Sequence, residues 1–219
     1  MLDRGQQRRI VSAQRIADAI QNPRRLNPRT MQLTNGAERA GGNSRQLQGC
    51  SNCGTVLETP STSNLRDIYE FGVFTGLGLR AWLETLPLFN VSTHGGQVFG
   101  FDSFSGMPEE NNASLIRPMH RDDPQWHQGG LNAASTMKES TWPRLRERVV
   151  RNTRSDPRRI ELVPGFYNES LRDGRALAKR LGMRPALLLD IDCDLYSSSK
   201  QALSFMLEAQ LLVPGTFVY

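Results

Sequence analysis

Asp67-Ile-Tyr-Glu-Phe-Gly-Val-Phe-Thr-Gly-Leu-Gly-Leu-Arg-Ala-Trp82 is the stretch on which the reading of this 219-residue chain turns. It opens as a short apolar and aromatic run ending at Glu70, passes three glycines (Gly72, Gly76 and Gly78), and continues as Leu79, Ala81, Trp82 and Leu83 at helical spacing. That order predicts a strand, a tight glycine turn and a helix. Such a turn lets the backbone approach a ligand closely, and the helix N-terminus favours ligand oxygen or negative charge. A carboxylate at the strand end, Glu70, suits a ligand carrying an amine, such as the methionine part of S-adenosylmethionine, better than it suits a pyrophosphate. Glycine turns of this kind also arise for structural reasons alone.

Working outward, Gln97-Val-Phe-Gly-Phe101 reads as a second strand with Asp102 at its end. An acid roughly 20–30 residues past a glycine turn, at the end of the next strand, is placed to accept hydrogen bonds from ribose hydroxyls. A helix cap or turn residue is the alternative. Residues 103–135 read as one long loop of the kind that forms lids or binding loops. It carries His120 and His127, each a candidate base or ligand or simply exposed, and Trp126, placed to close over a bound molecule. A helix is expected from Thr141 to Asn152, a strand over 159–163, a turn at Pro164-Gly165, and a helix from Ser170 to Leu181 ended by Gly182. A fourth strand begins at Ala186, a helix follows from Ser199 to Leu212, and a fifth strand starts at Thr216. The alternation predicts an α/β, Rossmann-like doubly wound fold, with a mainly parallel sheet and helices on both faces. Ligands of such sheets bind beyond the carboxyl ends of the strands, where Glu70, Asp102, Gly165 and Asp192 are expected.

Asp190, Asp192 and Asp194 alternate through Ile191 and Cys193. Three like charges on one buried strand face are costly, so the strand is expected to end near Asp192 and to leave Asp192 and Asp194 in the crevice. Paired carboxylates there suit a hard divalent cation such as Mg²⁺. A turn cap at Asp194 and an ion pair at Asp190 form the competing reading.

Residues 1–64 hold nine arginines against four acidic residues, leaving 18 basic and 18 acidic residues in 65–219. The basicity therefore belongs to the tail, and the body is neutral. The tail reads as a largely flexible extension with one short amphipathic helix over Ile10 to Ile20. It is either solvated, in contact with an anionic partner, or an organelle-targeting segment, since its Arg-rich, acid-poor composition fits all three. Cys50 and Cys53 have zinc-knuckle spacing but lack a second pair, so no metal is expected there. Nothing approaches the roughly 20 apolar residues of a membrane helix. No signal-peptide core is evident, and three cysteines suit a reducing compartment, so the expected location is cytoplasmic. Nucleic-acid binding has only the tail's charge behind it.

Five segments taken together are more specific. Tyr-Glu-Phe-Gly-Val-Phe-Thr-Gly (69–76), Gly-Phe-Asp-Ser-Phe-Ser-Gly-Met-Pro (100–108), Val-Pro-Gly-Phe-Tyr-Asn-Glu-Ser-Leu (163–171), Ile-Asp-Cys-Asp-Leu-Tyr-Ser-Ser (191–198) and Val-Pro-Gly-Thr-Phe-Val (213–218) occur in this order. Residues 65–219 so resemble the macrocin O-methyltransferase (TylF-type) family, class I S-adenosylmethionine-dependent enzymes, and Trp-His-Gln-Gly-Gly (126–130) looks like that family's substrate-side loop. The resemblance implies Glu70, Gly72 and Gly76 on the methionine side of the cofactor. It implies Asp102 at the ribose, Ser103 and Phe104 near the adenine, and Gly165 in the cofactor site. Asp192 would be a metal ligand or would help deprotonate the acceptor, with Asp194 beside it, and His127 is carried as a second catalytic candidate. The implied chemistry is methyl transfer to a hydroxyl of a small molecule or sugar, Mg²⁺-assisted, with a homo-oligomer compatible. Two departures stand out. Asp190 falls where relatives carry a non-acidic residue. The chain also stops at Tyr219, ahead of the family's further acidic pair and two more strands, so a truncated domain with an incomplete metal site is expected. The alternatives are a non-catalytic cofactor-binding remnant and a nicotinamide-dependent oxidoreductase, the latter disfavoured by Glu70 and by the lack of a clean Gly-x-Gly-x-x-Gly.

Overall fold

A computed structural model describes residues 65–89, 91–109 and 126–219. The expected N-terminal helix, the Cys50/Cys53 pair and His120 lie outside the described residues. The elements follow in the order β1 (Asp67–Phe71), α1 (Leu77–Thr85), β2 (Val98–Asp102), α2 (Ala133–Met137), α3 (Trp142–Thr153), β3 (Ile160–Pro164), α4 (Tyr167–Ser170), α5 (Gly174–Arg180), β4 (Ala186–Ile191), α6 (Tyr196–Glu208) and β5 (Phe217–Val218). All four strand pairings are parallel, in the order β3-β2-β1-β4-β5. The chain is therefore a Rossmann-like doubly wound α/β fold. The order turns back on itself between β1 and β4, the switch point at which such sheets open a crevice.

Alternation along the strands sorts the core into two layers. Ile68, Val98, Ile160 and Leu188 pack with Leu79 and Trp82 of α1 and Leu145, Val149 and Val150 of α3. Tyr69, Phe71, Phe99, Phe101 and Leu189 face the other way, against Leu177 of α5 and Ala202, Phe205 and Met206 of α6. The second layer is aromatic across the central pair: Tyr69 stacks on Phe99 at 5.3 Å and Phe71 on Phe101 at 4.4 Å, each the in-register partner of the other. Such pairs add about 0.5–1.5 kcal/mol beyond the area they bury.

Three expectations need correction. The helix expected over 170–181 is two pieces, α4 and α5, with a break at Leu171–Asp173. α4 closes at Leu171, whose amide donates to the Tyr167 carbonyl, and Asp173 starts α5 by accepting from the Ala176 amide at 3.2 Å. The stretch 103–135 contains α2, started by Asn132, whose side chain accepts from the Ser135 amide at 2.9 Å. The last helix begins at Tyr196 and ends at Glu208, earlier at both ends than the apolar spacing suggests. Gly182 ends α5 in the left-handed region at φ +61, as expected.

Asp67 fixes the amino end of the sheet. It is fully buried. Its carboxylate accepts from the Gln97 amide at 2.8 Å, from the Arg184 amide at 2.8 Å, and from the Arg184 guanidinium at 2.8 Å. One side chain thereby ties the starts of β1, β2 and β4.

Candidate cofactor and active site

The turn after β1 is shaped by contacts on every side. Gly72 lies at φ +94, and a Cβ there would come within 2.1 Å of the Asp192 carbonyl oxygen. Only glycine lets the ends of β1 and β4 meet this closely. Phe74 follows at φ +50 and Gly76 at φ +84, the latter with room for no Cβ because the Val149 carbonyl of α3 would be 2.8 Å away. The Phe74 amide donates to Asp102 Oδ2 at 2.8 Å, and Asn152 of α3 donates from Nδ2 to the Thr75 carbonyl at 2.8 Å.

Asp102 ends β2 and also receives the Phe104 amide on Oδ1 at 2.6 Å. Phe104, like Phe74, is a non-glycine residue in the left-handed region, at φ 55. Two strained residues around one carboxylate fit a functional site. Burial pushes the Asp102 carboxyl above its ordinary range, while hydrogen bonds from the Phe74, Phe104 and Val73 amides pull the other way.

These turns open onto a cavity of about 620 Å³ beyond the carboxyl ends of β1 to β4. Small-molecule sites commonly measure about 300–1,000 Å³. Gly72, Asp102, Ser103, Gly165, Asp192 and Asp194 all line it. The other candidates stand elsewhere. Glu70 is a residue within β1, buried, on the α1/α3 side of the sheet and in register with Asp190. Gly76 lies behind the turn against α3. The Phe104 ring packs into the core at 5.1 Å from Trp142, so only its backbone serves the site. His127 is exposed in the turn before Gly130, next to Gln128, which does line the cavity.

β4 ends at Ile191, which leaves Asp192 and Asp194 exposed at the rim and Asp190 buried below. Asp190 Oδ2 accepts from Trp82 Nε1 at 2.5 Å. Among the described residues, no three of His, Cys, Asp and Glu come together as metal ligands. Asp192 and Asp194 alone do not form the oxygen cage of a divalent cation.

Sequence reading gave no role to Tyr167, Cys193 or the face of α6. The Tyr167 hydroxyl donates to the Phe101 carbonyl at 3.0 Å, and the Cys193 thiol reaches Tyr167 at 3.8 Å and the Phe71 carbonyl at 3.5 Å. Burial, then the nearby Cys193 and Asp102, hold the phenol well above its ordinary range. Burial pushes the Cys193 thiol up to about 12, reinforced by the charges of Asp102, Asp192 and Asp194 and opposed by the Tyr167 hydrogen bond. Asn168, Ser197, Ser198 and Gln201 add a polar wall, and Met107, Leu131 and Phe166 an apolar one. The only signal for Tyr167 was its place in the Pro-Gly-Phe-Tyr-Asn run. No helix among the described residues is long and apolar enough to cross a membrane.

No family model matches the chain, and no curated protein matches it. Solved structures similar to it include the calicheamicin methyltransferase CalS11, with a TM-score of 0.47 and 23% identity over 70% of this chain and 56% of that one. The O-methyltransferase NovP follows at TM-score 0.40 and 21% identity, covering 66% of this chain and 52% of that one. An apo structure of CalS11, described as a TDP-rhamnose 3'-O-methyltransferase, gives TM-score 0.40 and 23% identity over 74% and 56%. This chain thus spans about half the length of the solved structures it resembles.

Proposed function

We propose that the chain is an S-adenosylmethionine-dependent O-methyltransferase acting on a hydroxyl of a small molecule or sugar. The observation that carries this reading is Asp102: an acid at the end of β2, on the cavity wall, beside a glycine turn that it holds by the Phe74 amide. A carboxylate has about four acceptor sites, and the Phe74, Phe104 and Val73 amides occupy part of that capacity. The remainder suit the adjacent hydroxyls of a ribose. Ser103, Met107 and Leu131 offer one polar and two apolar surfaces for the adenine, and the methionine part lies along Gly72 toward Gly165. Gly76 and Glu70 serve by shaping the turn from behind.

Bound there, the cofactor supplies an electrophilic methyl group on a sulfonium, which the acceptor oxygen takes as a neutral thioether leaves. The protein's part is positioning and proton removal. Asp192 at the rim takes the hydroxyl proton, with Asp194 beside it, and His127 is the second candidate base. Asn168, Ser197, Ser198 and Gln201 hold the acceptor's other hydroxyls.

Calorimetric titration with S-adenosylhomocysteine tests the reading, on the unchanged chain and on Asp102→Asn. Binding by the first, weakened about 10- to 100-fold in the second, is expected, the size of one or two hydrogen bonds to a charged group. A folded chain that takes up no S-adenosylhomocysteine ends this proposal. Transfer of a labelled methyl group to a panel of polyols and glycosides then identifies the acceptor, and loss of transfer with retained binding in Asp192→Asn marks the base.

A further inference from the structure

We infer that Asn152 is a positioning residue for the cofactor turn, acting through the Thr75 carbonyl from α3, on the side of the turn away from the cavity. The inference rests on the cofactor reading above. The turn between Gly72 and Gly76 has three residues in the left-handed region, Gly72, Phe74 and Gly76. Such a backbone keeps its shape only when its surroundings dictate it. On the cavity side the dictating group is Asp102, through the Phe74 amide. On the opposite side it is α3, which presents two groups one helical turn apart on the same face. The Val149 carbonyl lies under Gly76 where a Cβ would be 2.8 Å away, and Asn152 Nδ2 donates to the Thr75 carbonyl at 2.8 Å. Asn152 lines no part of the cavity. Its bond joins positions 77 residues apart, at the one carbonyl between the strained Phe74 and Gly76. Asn152 and Asp102 therefore form a two-point grip on the turn, one from each side.

The next residue supplies the control. Thr153 is buried, and its hydroxyl donates to the Val150 carbonyl within α3 at 2.7 Å, away from the turn. Thr153→Val burdens the same helix without touching Thr75. In the full chain, Asn152→Ala is expected to weaken S-adenosylhomocysteine binding about tenfold and to speed amide hydrogen exchange in the 72–79 peptide of the free protein. Asn152→Gln, which keeps the donor, should recover part of both effects, and Thr153→Val should produce neither. Unchanged exchange in the 72–79 peptide of Asn152→Ala overturns the positioning role, whatever the ligand does. So does equal loss of affinity in Asn152→Ala and Thr153→Val. If the unchanged chain binds no S-adenosylhomocysteine while Asn152→Ala still loosens the turn, the cofactor reading falls and the grip on the turn remains.

Discussion

Asp67 and Asp102 stand at opposite ends of the same sheet and differ in how far their own chain satisfies them. Asp67 is consumed: the guanidinium of Arg184 and the amides of Gln97 and Arg184 surround its carboxylate. Asp102 takes its hydrogen bonds from neutral amides, those of Phe74, Phe104 and Val73, and stands on a cavity wall. A buried acid with a charged partner closes a structure. Asp102, held by neutral amides beside a cavity, is the acid on which the cofactor proposal rests.

The contrast is broken or sharpened by four measurements. Asp67→Ala should cost the most stability, about 3–5 kcal/mol, because it strands the half-buried Arg184 charge. Urea unfolding measures this, and the folded fraction should bind S-adenosylhomocysteine normally. If affinity falls as far as in Asp102→Asn, the two ends are not separate. Gly72→Ala is the one change at the carboxyl end expected to approach that cost, about 2–4 kcal/mol, because both a φ of +94 and a 2.1 Å approach forbid the methyl. Gly165→Ala, where the nearest atom is 3.4 Å away, should cost markedly less in the same assay.

The third measurement is a pH dependence. Folding raises the Asp102 carboxyl above 3.8, so its contribution is fully present below that value and is lost as pH rises through the folded value. The unchanged chain should therefore gain stability relative to Asp102→Asn as pH falls toward 4. A stability difference that is flat with pH would remove the desolvation argument. The last measurement concerns Cys193. With a thiol raised from 9.0 to about 12, stability should be lost between those two values at no more than about 1.4 kcal/mol per pH unit. In a Cys50→Ser, Cys53→Ser background, iodoacetamide labelling of Cys193 should keep climbing past pH 10. Labelling that levels off by about pH 10 would show an ordinary thiol.

Much of the fold was legible because its signals are local. The glycine turn, the alternation of apolar runs and the Gly182 stop each lie within a few residues. The split between α4 and α5 escaped because Leu171 and Ala178, seven residues apart, keep the helical apolar spacing across the break, while the Asp173 cap that interrupts it carries no hydrophobic signal. The site was legible where strand ends decide it: Gly72, Asp102, Gly165 and Asp192 meet at the cavity. Glu70 and Phe104 read as site residues from their neighbours, yet the alternation of β1 sends Glu70 to the far face and the left-handed turn at Phe104 sends its ring into the core. Tyr167 and Asn152 act across 66 and 77 residues of sequence, a separation no local pattern reports.

The two aromatic stacks between β1 and β2 have a consequence for the cavity. Tyr69 meets Phe99 and Phe71 meets Phe101 only in one alignment, and a slip of a single residue would break both stacks at once and turn each ring to the wrong face. The same slip would carry Asp102 about 3.3 Å along the strand direction, out of reach of the Phe74 amide. The rings thus work as a gauge: any molecule that folds far enough to stack them has also set the spacing between Gly72 and Asp102, and the cavity wall is aligned by contacts buried behind it.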